Sequence, residues 1–278
     1  MVPGVDLGHL HVHDRRRRLL DRLVWLPVNL LQVVSFLLVC LILIPLALLA
    51  QKLTGGSRVA LWMAHHWWGP IVVAGGMAKL RVSGRDLIES DKTYLVVANH
   101  QSYFDIPVLY SALPAPLHFL GLDYLANIPG IGHFGKAVGT IYLSKASPFR
   151  AGKAALELAN YLREGRTTVI FPEGTRSWDG QMKAFSPNLF NSAILAKTEI
   201  LPLAIVNSRS VMPRGGGFLF RPACVEVRLG RPIPTRDLEA SDRNALARAA
   251  WDQIHTLLTG EAPRTDEIAA AANTTGAK

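Results

Sequence analysis

Hydrophobic positions fall into two unlike regimes along the chain. From Val24 to Ala50 there are 27 residues without a charge, and Val33–Ala50 is apolar apart from Ser35. Eighteen or more such residues suffice to cross a bilayer as a helix. Pro27 and Pro45 sit near the ends of the run, which predicts a kinked or tilted helix rather than an ideal rod. A second stretch, Val59–Leu80, mixes Trp62, Trp67 and Trp68 with His65, His66 and Gly75-Gly76. That composition suits the membrane interface, and it suits packing against the rest of the protein equally well. Gly55-Gly56 predicts a turn between the two segments, so the pattern reads as a helical hairpin lying in or on one leaflet. A secretory signal fits less well, because the run is longer than an ordinary signal core and no small-x-small cleavage site follows it.

After Lys79 the pattern changes to short apolar runs bounded by Gly, Pro and Asn, alternating with amphipathic stretches. Predicted strands are Thr93–Ala98, Leu117–Leu120, Thr140–Leu143, Thr167–Phe171, Ile200–Val206 and Cys224–Leu229, mostly unbroken runs of the kind that central, doubly covered strands show. Predicted helices are Ile106–Ala112, Pro148–Arg163, Leu189–Lys197 and Asp242–Leu258. The alternation gives an α/β fold, a mixed sheet covered by helices. The expected organisation is a basic segment over 1–23, a membrane-associated hairpin over 24–80, an α/β domain over 81–260 and a flexible tail over 261–278.

Composition narrows the function. The 278 residues are 49% hydrophobic and 18% charged, too apolar for a disordered chain. Two cysteines, Cys40 and Cys224, exclude a disulfide scaffold and a cysteine-rich zinc site. The formal charge is +9, and residues 1–80 carry eight cations against three anions, so +5 of it flanks the most hydrophobic segment. That placement favours anionic headgroups over nucleic acid, and it sets Arg15–Arg22 on the cytoplasmic side. His9, His11 and His13 alternate but lack supporting carboxylates, so no metal site is expected.

Two stretches carry chemistry. Strand Thr93–Ala98 runs into Asn99-His100-Gln101-Ser102-Tyr103-Phe104-Asp105, at a strand end where α/β folds place their sites. A carboxylate five positions after a histidine can fold back to accept one ring proton, which leaves the other nitrogen as a general base. The alternative is a histidine with a purely structural role. Strand Thr167–Phe171 runs into Pro172-Glu173-Gly174-Thr175-Arg176-Ser177, where Gly174 permits close backbone approach, Arg176 offers a planar fork for phosphate, and Thr175 and Ser177 add hydroxyls. The alternative here is a surface loop in which Glu173 and Arg176 pair. No Gly-x-Ser-x-Gly elbow is present, which argues against a serine hydrolase. A non-catalytic membrane-binding module stays open.

In this order and about 70 residues apart, the two stretches resemble the glycerolipid acyltransferase family, specifically the bacterial lysophosphatidate acyltransferases. The NHxSxxD motif is matched by Asn99, His100, Ser102 and Asp105, and FPEGTRS by Phe171–Ser177. The resemblance covers about residues 81–206 and implies transfer of a fatty acyl group, without a cofactor, from acyl-CoA or acyl carrier protein to the free hydroxyl of a lysophospholipid, 1-acylglycerol 3-phosphate first, with another lysolipid or glycerol 3-phosphate as the alternative acceptor. It implies His100 and Asp105 as the catalytic pair, and Asn99, Ser102, Glu173, Gly174, Thr175, Arg176 and Ser177 as substrate-binding residues, with Glu173 orienting Arg176 or a hydroxyl. Backbone amides near these motifs are expected to stabilise the oxyanion. The family's Gly-x-Ile-x-x-x-Arg stretch reads Gly139-Thr140-Ile141-Tyr142-Leu143-Ser144-Lys145, so Lys145 becomes an auxiliary cation. Its Phe-Lys-x-Gly stretch reads Phe185-Ser186-Pro187-Asn188, without lysine or glycine, which shifts weight from 1-acylglycerol 3-phosphate toward another acceptor such as a lyso-ornithine lipid. The implied setting is the cytoplasmic face of the membrane.

Overall fold

A computed structural model of the protein describes residues 8–114, 116–144, 148–177, 180–213 and 219–261. Lys145, the tail from 262 onward and the side chains of His9, His11, His13 and Arg15–Arg22 lie outside the described residues. Helix α1 (Gly8–Thr54) runs unbroken through Pro27 and Pro45. It therefore begins well before the uncharged run, and Pro27 sits inside the helix rather than near an end. Gly55, with φ of 70°, turns the chain, and its N–H caps the carbonyl of Gln51 at 2.9 Å. The returning arm is α2 (Arg58–Met63), a π-turn over Ala64–Trp68 and α3 (Gly69–Gly75).

Among the described residues seven strands form one sheet in the order β1-β7-β6-β2-β5-β3-β4. In chain order these are β1 (Ala78–Ser83), β2 (Leu95–Ala98), β3 (His118–Leu122), β4 (Ile141–Leu143), β5 (Thr168–Ile170), β6 (Ile200–Val206) and β7 (Ala223–Leu229). All neighbours are parallel except β6 and β7. The sheet is thus mixed, as the sequence predicts, and β2, every residue of which is buried, lies near its centre. Between the strands run α4 (Asp105–Ala112), α5 (Ile131–Ala137), α6 (Pro148–Arg163), α7 (Phe190–Ala196), α8 (Ser208–Val211) and, after β7, α9 (Arg243–Thr259).

Two hydrophobic layers cover the sheet. On one side α6, α7 and α9 pack through Leu158, Phe190, Trp251 and Ile254. On the other, α4 packs together with the returning arm, whose Ala60, Leu61, Met63, Ala64, Val72 and Val73 are buried. The second arm of the hairpin is therefore part of the body's core. A Cβ at Gly69 would lie 2.8 Å from Cβ of Tyr110, so the absence of a side chain is what lets α3 rest on α4. The predicted boundary at residue 80 moves back, because Ala78–Leu80 already pair with Ala223–Val225 in β1.

Helix α1 keeps a different face outward. Leu26, Leu30, Leu37, Leu38, Leu41, Leu49 and Leu53 are all more than half exposed. Spacings of three, four and seven or eight residues recur among them, which gathers them on one broad stripe. Toward the body, Asn29 Oδ1 accepts the N–H of Phe220 at 2.6 Å, Gln32 Nε2 donates to the Gly75 carbonyl at 2.9 Å, and Gln51 Nε2 donates to that of Lys136 at 3.1 Å, whereas Ser35 is exposed. The tryptophans divide: Trp68 packs on Phe134 and Tyr110, while Trp62 and Trp67 are exposed.

Just beyond β2, Asn99 extends the pairing with β6 by side chain instead of backbone. Its Nδ2 donates to the Ile205 carbonyl at 2.9 Å and its Oδ1 accepts the Ile205 N–H at 2.7 Å. Asn99→Ala leaves both backbone groups of a buried residue without partners, which costs about 2–4 kcal/mol. Urea denaturation should show that loss as a lower midpoint with an unchanged slope.

Candidate active site

Because β2 and β5 are adjacent and parallel, with Val97 beside Ile170, the segments that follow them emerge side by side at the carboxyl end of the sheet. Residues 99–104 lead from β2 into α4, and residues 171–177 leave β5. The two stretches singled out in the sequence thereby meet, although about 70 residues separate them.

His100 and Asp105 are bonded, Nδ1 to Oδ2, at 2.7 Å. Asp105 is fully buried as the first residue of α4, where the helix dipole favours negative charge. The same Oδ2 accepts the N–H groups of Gln101 at 2.8 Å and Ser102 at 3.0 Å. A carboxylate has only acceptors to offer, so Nδ1 carries the proton and Nε2 is left with its lone pair. The imidazole lies flat on Phe171, ring centroids 4.1 Å apart and planes 18° from parallel. Its side chain is 15% exposed, enough to meet a substrate and too little to wander.

The second loop grips the first through the backbone of His100. Ser177 N–H donates to the His100 carbonyl at 2.9 Å, and Glu173 Oε1 accepts the His100 N–H at 2.8 Å. The other oxygen of Glu173 accepts the Lys183 N–H at 3.0 Å. The sequence suggested that Glu173 orients Arg176 or a hydroxyl; instead each of its oxygens takes a backbone amide, and it is a strut between three segments. Burial pushes its carboxyl up to about 7, with the N–H groups of Lys183 and His100 pulling it down and the charge of Asp105 adding to the rise. Gly174 adopts a left-handed turn, φ 69°, and its N–H closes on the Phe171 carbonyl at 3.0 Å. The Arg176 guanidinium lies 3.6 Å from the Tyr103 ring centroid. Thr175 is exposed, and its Oγ1 accepts from Lys183 Nζ at 3.2 Å.

Three residues expected to bind substrate are built into the scaffold instead. Asn99 is 1% exposed and clamps Ile205. Ser102 is fully buried, donating to the Met212 carbonyl at 2.7 Å and accepting the Phe104 N–H at 3.1 Å. Ser177 is 1% exposed, and its hydroxyl accepts the Gly180 N–H at 2.7 Å. Of the backbone amides near the two motifs, those of His100, Gln101, Ser102, Gly174 and Ser177 have protein acceptors. Conversely, Phe171 and Lys183 stand at the site although sequence reasoning gives neither a role there. Phe171 lies within the FPEGTRS motif, and Lys183 lies two residues before the phenylalanine after which a lysine is sought.

A buried carboxylate steering an imidazole at the carboxyl end of a largely parallel sheet, beside an arginine-bearing loop, defines an α/β protein equipped to activate a hydroxyl. The family described as acyltransferase matches residues 79–206. The lyso-ornithine lipid O-acyltransferase of Pseudomonas aeruginosa is 33% identical over 223 residues, covering 74% of this chain and 82% of that protein. A 1-acyl-sn-glycerol-3-phosphate acyltransferase of Chlamydomonas reinhardtii is 30% identical over 185 residues, 66% of this chain and 55% of that protein. The chain belongs to this acyltransferase family. It spans about half the length of several of its curated relatives, the Chlamydomonas protein among them. Among solved structures, the 1-acyl-sn-glycerophosphate acyltransferase of Thermotoga maritima has the same fold, with a TM-score of 0.69 over 85% of this chain and 98% of that one, at 23% identity.

The raised carboxyl of Glu173 gives a signed pH effect. Its proton is bound more tightly in the folded than in the unfolded chain, so the associated stability is fully present below about pH 4.5 and is lost as pH rises through about 7. Relative to Glu173→Gln, the wild type should lose on the order of 2 kcal/mol across that window and nothing further above it. Thermal unfolding of the two proteins at a series of pH values checks this; a constant difference across the window contradicts it.

Proposed function

We propose that the protein transfers a fatty acyl group from a thioester, acyl-CoA or acyl carrier protein, to the free hydroxyl of a lysolipid at the membrane surface, with 1-acylglycerol 3-phosphate as acceptor and phosphatidate as product. The observation that carries this reading is the His100–Asp105 pair, braced on both sides by the second loop. His100 Nε2 takes the proton of the acceptor hydroxyl as its oxygen attacks the thioester carbonyl carbon. Asp105 holds the tautomer and faces the positive charge that results, and Phe171 lies against the imidazolium. When the carbon–sulfur bond breaks, the departing thiolate takes the proton back from the ring. Base catalysis of this kind contributes about 10²–10⁴-fold. Arg176, stacked on Tyr103, is the planar donor for the acceptor's phosphate.

A second acceptor has its own support: the Pseudomonas relative is named for a lyso-ornithine lipid, and Phe185-Ser186-Pro187-Asn188 lacks a cation.

The setting follows from α1. Its apolar stretch, Trp25–Thr54, is long enough to cross a bilayer. Asn29 and Gln51, however, are about 33 Å apart along the helix, and both bond to the body. Spanning would drag the body through the hydrocarbon alongside it. We therefore read α1 as lying in the plane of one leaflet, leucine stripe down, with Trp62 and Trp67 at headgroup level and the site open to the cytoplasm.

Two measurements test these statements. With a labelled thioester and lysophosphatidate, His100→Ala should lower kcat by about 10²-fold or more while the melting temperature holds; near-normal turnover removes the base. Single cysteines placed at Val28 and Leu53 of a Cys40→Ser, Cys224→Ser protein in sealed vesicles should react with an impermeant maleimide from the same side, whereas opposite sides would mean a spanning helix.

A further inference from the structure

Lys183 is an exposed residue rooted as firmly as a buried one. Its N–H is held by Glu173 Oε2 at 3.0 Å, and its carbonyl accepts the Trp251 indole N–H at 3.0 Å. Both bonds use backbone, so the side chain is free of structural duty, and it reaches the hydroxyl of Thr175 at 3.2 Å. The hydroxyl is neutral, and the charge of the ammonium also acts on the Glu173 carboxyl, which it draws down. The contact aims that charge at the turn whose next residue, Arg176, lies on Tyr103.

One carboxylate thus sets the positions of both the imidazole and the ammonium arm, since Glu173 Oε1 holds the His100 backbone and Oε2 that of Lys183. In a 1-acylglycerol 3-phosphate, the carbon bearing the reacting hydroxyl and the carbon bearing the phosphate are bonded neighbours. A cation that holds the phosphate while His100 takes the proton must therefore sit on a segment referenced to the histidine, and Lys183 does. A phosphate monoester is close to dianionic at neutral pH, which suits two cations of different geometry, the planar fork of Arg176 and the compact ammonium of Lys183.

We infer that Lys183 is a specificity-determining residue that binds the anionic headgroup of the acceptor, completing a phosphate site with Arg176 and Thr175. This deepens the proposed transfer reaction and rests on it for the identity of the acceptor. The stretch Ser186-Pro187-Asn188 contributes no cation of its own, so the charge enters from the other side of Phe185. Rooting the lysine at its backbone limits the entropy lost when the anion binds.

Lys183→Met keeps the length of the side chain and both backbone bonds while removing the charge. With a soluble short-chain lysophosphatidate, it should raise KM by about 10-fold or more and change kcat by less than about 2-fold, and Lys183→Arg should recover most of the loss. A parallel titration of the same lipid into full-length protein in detergent, without thioester, should show weaker binding by a similar factor. An unchanged KM and unchanged binding in Lys183→Met overturn the inference, as does a loss confined to lyso-ornithine lipid, whose anion is a carboxylate. If wild type binds the lipid, Lys183→Met loses that binding, and neither transfers an acyl group, the headgroup site stands and the transfer reaction falls. If wild type transfers the acyl group and Lys183→Met is indifferent, the reaction stands and the lysine assignment falls.

Discussion

Oxygen Oδ2 of Asp105 is the point on which the site depends. A carboxylate with no exposure to solvent is expensive to hold, and it persists only where donors replace the water it has lost. Here a single oxygen gathers the His100 ring, the Gln101 N–H and the Ser102 N–H. The two amides wrap residues 100–102 around the start of α4, so the loop cannot relax without leaving the charge bare. The imidazole is the third donor rather than an added decoration: the bonds that make the turn also select the tautomer. The other oxygen, Oδ1, is buried without a hydrogen-bond partner among the described residues, which makes the dependence on Oδ2 heavier still.

Glu173 repeats this logic between loops rather than within one. It takes an amide from each of two segments, His100 and Lys183, while Ser177 donates to the carbonyl of the same histidine. The amides of His100 and Ser177 are thus consumed in fixing the histidine. Rigidity at position 100 and hydrogen bonding to a ligand compete for these two amides, and in this protein rigidity has them.

Much of this is legible in the sequence where a physical signal is strong. Buried strands such as Leu95–Ala98 and Ile200–Val206 are unbroken apolar runs, and α6 begins at Pro148 and ends at Arg163 as its amphipathic pattern indicates. β1 escapes a reading of the sequence because Ala78–Ser83 alternates half-buried and exposed positions and carries Lys79 and Arg81, which resembles a surface linker until its partner β7 is known. α5 escapes it because Ile131–Ala137 holds two glycines, and Gly132 is required by the Ala126 carbonyl against it rather than by helix propensity. At the site, the five-residue spacing announces the His100–Asp105 pair. The inward turn of Asn99, Ser102 and Ser177 is not legible, since a short polar side chain looks the same whether it faces a ligand or a neighbouring backbone carbonyl. Lys183 is hidden for the opposite reason: its importance comes from Glu173 and Trp251, which lie 10 and 68 residues away.

The apolar helix α1 and the His100–Asp105 pair are mechanically one object. Asp105 opens α4, and α4 rests on α3 through the contact that Gly69 leaves open beneath Tyr110. α3 in turn is bonded to α1 through Gln32 and the Gly75 carbonyl. Asn29, Gln32 and Gln51 are therefore where the helix attaches to the body, and most of the leucines between them stay exposed. A lysolipid carries its hydroxyl at a fixed depth set by its own tail. An enzyme that floated on a flexible tether would have to find that depth anew for each molecule, whereas on the proposed reading a base packed through two helices onto a stripe that faces the membrane presents Nε2 at a constant height. The exposed stripe and the buried carboxylate are on this account two ends of the same positioning device.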